Sequence, residues 1–258
     1  MSLDIMDARS GTLSGNLASG VQLEDSMCHD YVVQEMTGVE EDLLAGKGPI
    51  MPRLNQVILN CTVSIGGVAD KKTLAGMIRK LTSVDRMIML VSIRRASLGD
   101  HYRVKYNCPS CTSSNNASVD LSQLEITRAR SESETHEAQL SSGCVIEWHT
   151  MTGLDEEWLS TQTKRQEKTG RADMLTLAIL TRVDSIDGEK IDRRKDLNSA
   201  LKTVKGLRLS ERNELRSIFK EEEGSYDTEI EYECAHCGHE FKADLDVGQA
   251  TFFFPSGI

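Results

Sequence analysis

Two thiols separated by two residues on a tight turn can grip one metal ion together, and the chain carries this arrangement twice. Cys108 and Cys111 stand in YNCPSC, Cys234 and Cys237 in YECAHC. Each pair follows a strand-like run, HYRVKYN or DTEIEYE, and precedes a polar turn. That setting argues against a redox pair, whose cysteines open a helix so that its N-terminus lowers the thiol pKa. A closed structural zinc needs four ligands. After Cys111, the stretch TSSNNASVDL offers only weak oxygen donors, while His236 and His239 lie within and just beyond the second turn, poorly placed to complete a local site. Joining the two turns supplies four thiolates. The expectation is one structural zinc per chain on Cys108, Cys111, Cys234 and Cys237. Four thiolates also suit iron, and the sequence leaves the turns free to meet within one chain or between two.

The elements that must bring these turns together repeat. Although 122 residues lie between Cys111 and Cys234, other stretches match in the same order. EMTGVEEDL at 35–43 matches TMTGLDEEWL at 150–159 at an offset of 115, pairing Met36, Thr37, Gly38 and Glu41 with Met151, Thr152, Gly153 and Glu156. ILNCTVSIGG meets ILTRVDSIDG at an offset of 121, and from Leu81 onward the offset is 126. Collinear matches whose offset grows in two steps read as a tandem duplication with loop insertions in the second copy.

Each copy reads as a short strand or hairpin (LASGVQL or LSSGCVIEWH), helices, and a cysteine hairpin. Thr37 with Glu40 and Thr152 with Asp155 are capping-box pairs that open a helix. PRLNQVILNCTV, with Pro52 near its first turn, and ADMLTLAILTRV form the next helix. Two further helices follow, the later capped near Thr82 or Ser83 and at Ser210, and stopping close to Gly99 and Gly224. The expected fold class is α+β, a mostly helical tandem duplication of two pseudo-twofold-related modules joined by the shared zinc. Its parts are an N-terminal extension (1–16), module one (17–128), a linker (129–137), module two (138–250) and a hydrophobic tail (251–258).

Composition bounds the function. Charged residues make up 27% and hydrophobic ones 39% of 258 residues, and no run approaches the length of a membrane span. The first residues lack the basic start and apolar stretch of a secretory signal, so the seven cysteines are expected in a reducing compartment. A net charge of −10 argues against a phosphate-binding surface. None of the six histidines lies in a nucleophile or general-base motif, no phosphate-cradling glycine loop is present, and a four-thiolate zinc has no open position for water. No enzyme, no small-molecule substrate, no nucleic acid and no membrane are the expectations. Cys61, on an apolar helix face, reads as core.

The segments DYVVQEMTGVEEDLL, ILNCTVSIGGV, LTSVDRMIMLVSIRRASLGDHYRVKYNCPSC and VDLSQLEI together resemble the baseplate and hub-assembly proteins of contractile-tailed phages of the T-even type, over roughly residues 20–245. The resemblance implies a structural or assembly role, with other baseplate, hub or tail-tube proteins as partners, located in the virion and in the host cytoplasm during assembly. A zinc-ribbon nucleic-acid-binding or transcription-associated protein is the alternative. Finally, three of only five phenylalanines stand together at Phe252, Phe253 and Phe254. Adjacent side chains diverge, so one flat core face does not easily absorb all three. The tail either plugs its own module's core or inserts into a neighbouring subunit; the second reading makes these rings a partner-binding anchor.

Overall fold

In the computed structural model, residues 6–7, 11–23, 26–131, 133–170 and 173–254 are described; residues 255–258 of the expected tail fall outside them. Strands β1 (Met6–Asp7), β2 (Thr12–Leu23) and β3 (Ser26–Gln34) come first. In β2 the buried Leu13, Gly15 and Leu17 alternate with Thr12, Ser14 and Asn16, the two-residue period of a half-buried strand. Helices α1 (Gly38–Ala45) and α2 (Ile50–Cys61), strand β4 (Thr62–Ile65), helices α3 (Lys71–Lys80) and α4 (Ser83–Leu98), and the hairpin β5 (His101–Asn107) with β6 (Ser114–Asp120) complete the first half. After β7 (Ile126–Thr127) the succession recurs: β8 (Thr135–Gln139), β9 (Val145–His149), α5 (Gly153–Thr169), α6 (Met174–Leu180), β10 (Val183–Ile186), an added β11 (Glu189–Lys190), α7 (Leu197–Gly206), α8 (Leu209–Glu222), a short β12 (Ser225–Tyr226), and the hairpin β13 (Glu229–Glu233) with β14 (Glu240–Asp244). The antiparallel sheets run β1-β2-β3-β4 and β11-β10-β9-β8, and β12 pairs with β7.

This architecture corrects the expectation of a mostly helical chain: each half is an antiparallel sheet packed with helices, a mixed α/β arrangement. The helices expected to run through ILNCTV and ILTRV stop early. Thr62 and Val63, then Val183, are β-branched and pass into β4 and β10, which close the two sheets against β3 and β9. Residues 135–137, expected in a linker, belong to β8. Both capping boxes form, at Thr37–Glu40 and Thr152–Asp155. Helix α8, expected to be capped at Ser210, begins at Leu209 instead, because the Arg208 amide donates to Glu211 at 2.6 Å.

Two cores result. The second gathers Leu140, Ile146, Trp148, Leu177, Leu201 and Leu215. The first gathers residues of β2 to α4 and, from the far end of the chain, Leu245, Val247, Phe252 and Phe253. The tail therefore crosses over and fills the other half's core. A buried cation holds it there: Arg94 donates to the Phe252 carbonyl at 3.2 Å and to that of Gly99 at 3.1 Å, and its guanidinium lies 4.9 Å from the Tyr102 ring centre and 5.6 Å from that of Phe252.

A second buried charge organises the first half. The pairing of β2 with β3 shifts register between Asn16 and Val21, which takes amides of this segment out of the ladder. Asp85, fully buried at the start of α4, accepts from Ala18 at 2.6 Å, Ser19 at 3.1 Å and Gly20 at 3.2 Å. One carboxylate thus satisfies three backbone donors, one of them buried and two part-buried.

The halves meet where α4 begins. Gly153 donates to the Leu81 carbonyl at 3.1 Å, Ser83 donates to that of Met151 at 3.0 Å, and Thr82 bridges Thr152. Arg86, 2% exposed, reaches across to Glu156 while also bonding Asn55, and Asn55 bonds Glu157. A Cβ at Gly153 would lie 2.9 Å from Arg86 Nε and 3.1 Å from the Arg79 carbonyl oxygen, so glycine is what lets the two backbones approach.

The hairpin turns are built alike. Cys108 and Cys234 each donate to a carbonyl five residues on, Ser113 and His239, at 3.0 Å, and each accepts from a residue four on, Thr112 and Gly238, at 2.8 Å. The turn needs a left-handed residue there, with φ 68° at Gly238 and φ 61° at Thr112. A β-branched side chain in that region is strained.

Two outcomes follow from these contacts. Asp85→Ala strands one buried and two part-buried amides and is expected to destabilise the protein by on the order of 2 kcal/mol, read as a lower urea midpoint; a loss below half that value would contradict the role given to Asp85. Thr112→Gly removes left-handed strain from an exposed position and is expected to raise the melting midpoint, by about 1 kcal/mol of stability. A lower midpoint would count against it.

Candidate metal centre

The two cysteine hairpins lie face to face. Tyr106 and Tyr232, equivalent residues of the two strands leading into the turns, stack with ring centres 4.4 Å apart, and the Tyr106 hydroxyl donates to the Glu233 carbonyl at 3.1 Å. Phe241 of β14 packs edge-on against Tyr106 at 5.1 Å. Asn115 of β6 crosses to the other turn, accepting from the Ala235 amide at 3.0 Å and donating to Cys234 Sγ at 3.5 Å.

These contacts bring together all four cysteines singled out by spacing. Their sulfurs lie within 4.8 Å of one another, and they form the group among the described residues that could hold a metal ion. Cys108 Sγ is 3.8 Å from Cys237 Sγ, and Cys111 Sγ is 3.6 Å from Cys234 Sγ. Each contact joins one hairpin to the other within a single chain. Separations of this size are far from a disulfide bond of about 2.05 Å, and close to the edge of about 3.8 Å of a tetrahedron with metal–sulfur bonds of about 2.3 Å. Cys108 and Cys234 are buried, Cys111 is half-buried and Cys237 is exposed. His236 and His239 are not part of the cluster.

The thiols do not titrate alike. Burial opposes ionisation of Cys234, but the amides of His236 and Cys237, together with Cys111 and Asn115, bring its pKa down to about 6. Cys237 accepts from the His239 amide, yet the neighbouring sulfurs Cys111, Cys234 and Cys108 push it up to about 12. Four sulfurs this close repel one another once ionised, and a bound cation is what relieves that repulsion. By contrast Cys61 is 1% exposed and burial lifts its thiol to about 12, an inert core residue.

The remaining sequence candidates are placed differently. Phe252 and Phe253 are 1% and 2% exposed in the first core, with Phe254 half-buried against it. The anchor expected to enter a partner is occupied within the chain, because the opening between β5 and α4 accepts the rings that no single flat face could. Arg94 and Arg95 are buried, and Arg193 pairs with Asp155.

A polar cluster that sequence reasoning missed lies beside the docking surface. His149 Nδ1 is 2.8 Å from Asp184 and Nε2 is 3.5 Å from Asp155. Burial alone would lower its pKa, but the two carboxylates outweigh it and raise it to about 9. Asp155 in turn caps α5, receiving the Thr152 amide at 3.0 Å and the Arg193 guanidinium. The cluster fixes the start of α5, the surface on which α4 docks. Only its location at a strand end, HT before MTG, marked it in the sequence.

Neither curated proteins nor solved structures include a match to the chain. The family model described as T4 bacteriophage base plate protein matches residues 31–254, a span that holds the second core, the first core except its β2 residues, the docking of α4 on α5 and all four clustered cysteines. No helix among the described residues is long and apolar enough to cross a membrane. The chain belongs to the T4 bacteriophage base plate protein family.

Proposed function

We propose that the chain is a structural subunit or assembly factor of the contractile-tail baseplate and hub, acting through contacts with other baseplate, hub or tail-tube proteins, and that Cys108, Cys111, Cys234 and Cys237 hold one structural zinc. The observation that carries this reading is the closed set of four thiolates inside a baseplate-family chain. Such a set leaves no coordination position for water or substrate, so the metal's contribution is shape and stability, not chemistry. Zinc is preferred to iron because a role in protein contacts uses no electron transfer, and tetrahedral four-sulfur sites suit the redox-inert ion. The protein acts in the host cytoplasm while tails are built and in the virion baseplate afterwards, without nucleic acid, membrane or catalysis.

The reading includes a tandem duplication. It is supported by the repeated order of elements, by equivalent hydrogen bonds in the two cysteine turns, and by matched buried groups: Asp85 bonds the amides at 18–20, while Glu211 bonds Ser142 and the Arg208 amide.

Purified protein is expected to contain one zinc per chain, and Cys108→Ser or Cys234→Ser alone is expected to abolish stoichiometric binding, measured by elemental analysis; a variant that keeps half the metal would point to two separate sites. Chelation is expected to lower the melting midpoint without parting the halves, since the tail and the α4–α5 docking still join them. Affinity capture from infected cells and from virions, read by mass spectrometry, is expected to return baseplate and hub proteins; retention of nucleic acid at low salt would instead favour the zinc-ribbon alternative.

A further inference from the structure

The contact between the halves runs one way. In it, the start of the last long helix of the first half (Leu81, Thr82, Ser83, with Arg86 one turn on) sits on the MTG turn of the second (Thr152, Gly153, with Glu156 one turn on). Each half owns both surfaces, because the sequence that makes them is repeated. The second half has its own helix start at Arg208, Leu209 and Arg212, and the first half its own turn at Thr37, Gly38 and Glu41.

Neither of these is used within the chain. Ser83 is half-buried in the docked contact, whereas Leu209 at the matching position is 71% exposed; Leu207, which matches the buried Leu81, packs half-buried against the second core. Gly153 is buried under Arg86, whereas a Cβ at Gly38 would meet nothing, and Val39 beside it is 62% exposed. The polar parts are in place as well. Arg86 is held by Asn55 of α2 before it reaches Glu156; Arg212 is held by Thr176 of α6, the matching position, at 3.1 Å and by the Val204 carbonyl at 3.1 Å. Arg212 and Arg216, one turn apart on α8, and Glu41 and Asp42 on α1 have no ion-pair partner among the described residues. One open surface is basic with an exposed leucine, and the other is acidic with an exposed valine.

We propose that these two surfaces dock on each other between copies of the chain: the α8 start of one copy seats on the Thr37–Gly38 turn of the next, with Arg212 to Glu41 repeating the Arg86 to Glu156 pair. A head-to-tail contact of this kind leaves one surface of each sort free at the ends, so it closes into a ring or extends into a run of subunits. The proposal goes beyond the baseplate role and does not depend on the metal, since the cysteine hairpins take no part in it.

Sedimentation tests it on the full chain. The unaltered protein is expected to associate as its concentration rises, and less so as salt is added. Gly38→Trp fills the open turn and Leu209→Glu places an acid among the arginines; each alone is expected to weaken self-association at least about tenfold. Mixing the two variants leaves one intact surface on each partner, and a one-to-one dimer that grows no further is the expected product. If Gly38→Trp lowers the melting midpoint, Glu41→Arg, on an exposed side chain, takes its place. The proposal is overturned by a native protein that stays monomeric at its highest soluble concentration in low salt. It is equally overturned by variants that still self-associate, or by a mixture that does not pair.

Discussion

Four sulfurs from turns more than a hundred residues apart lie within 4.8 Å of one another, and this juxtaposition, which could hold one metal ion, constrains the rest of the chain. Each cysteine hairpin has to leave its half in a set direction. The hairpins themselves meet as equals: Cys108 faces Cys237 as Cys111 faces Cys234, and Tyr106 faces Tyr232. The bodies do not, since α4 seats on α5 with no reciprocal contact from α8 to α1. The matched contacts between the hairpins therefore do not extend to the bodies of the two halves. The linkers absorb the mismatch. In the first half Gly99 and Asp100 alone separate α4 from β5, while in the second the chain passes through β12, pinned to β7, before β13 begins.

The site was more legible than the fold around it. Cysteine spacing and strand-like approaches singled out the four thiols that the fold brings together, because a pair of cysteines two residues apart on a turn after a strand is a local signature that survives any arrangement of the surroundings. Capping boxes were readable for the same reason: Thr37–Glu40 and Thr152–Asp155 are closed by residues three apart. The sheets were not. Strands β4 and β10 are four residues long and run straight on from helices, so their apolar residues looked like another helical turn. Their identity is settled by pairing with β3 and β9, partners distant in sequence. Three adjacent phenylalanines announced burial but could not say in which core. Likewise the MTG turn reads identically in both copies, and only packing decides that Gly153 is pressed under Arg86 while Gly38 faces open space.

Several cations that a linear reading would place on the surface are interior. Arg86 and Arg94 are 2% and 1% exposed, and each sits at a junction: Arg86 between the halves, Arg94 between the first half and the tail. A buried guanidinium is poorly tolerated unless most of its donors are met, so each demands partners at fixed places; Arg86 meets Asn55 and Glu156 through its terminal nitrogens and leaves Nε unpaired. Two residues of one helix thereby specify how both later parts of the chain attach to the first. Such charges add selectivity more than stability, which suits an assembly with many similar apolar surfaces.

The crossing of the tail has a consequence for synthesis. The first half emerges from the ribosome early, yet its core lacks Phe252 and Phe253 until residues 245–253 have been made. Contacts of such long sequence separation form slowly, and the unfinished core exposes apolar surface meanwhile. The second half gathers its core from residues 140–219 and can finish first. Folding then runs against the direction of translation: the first half closes after the second, when residues 245–253 come back to it.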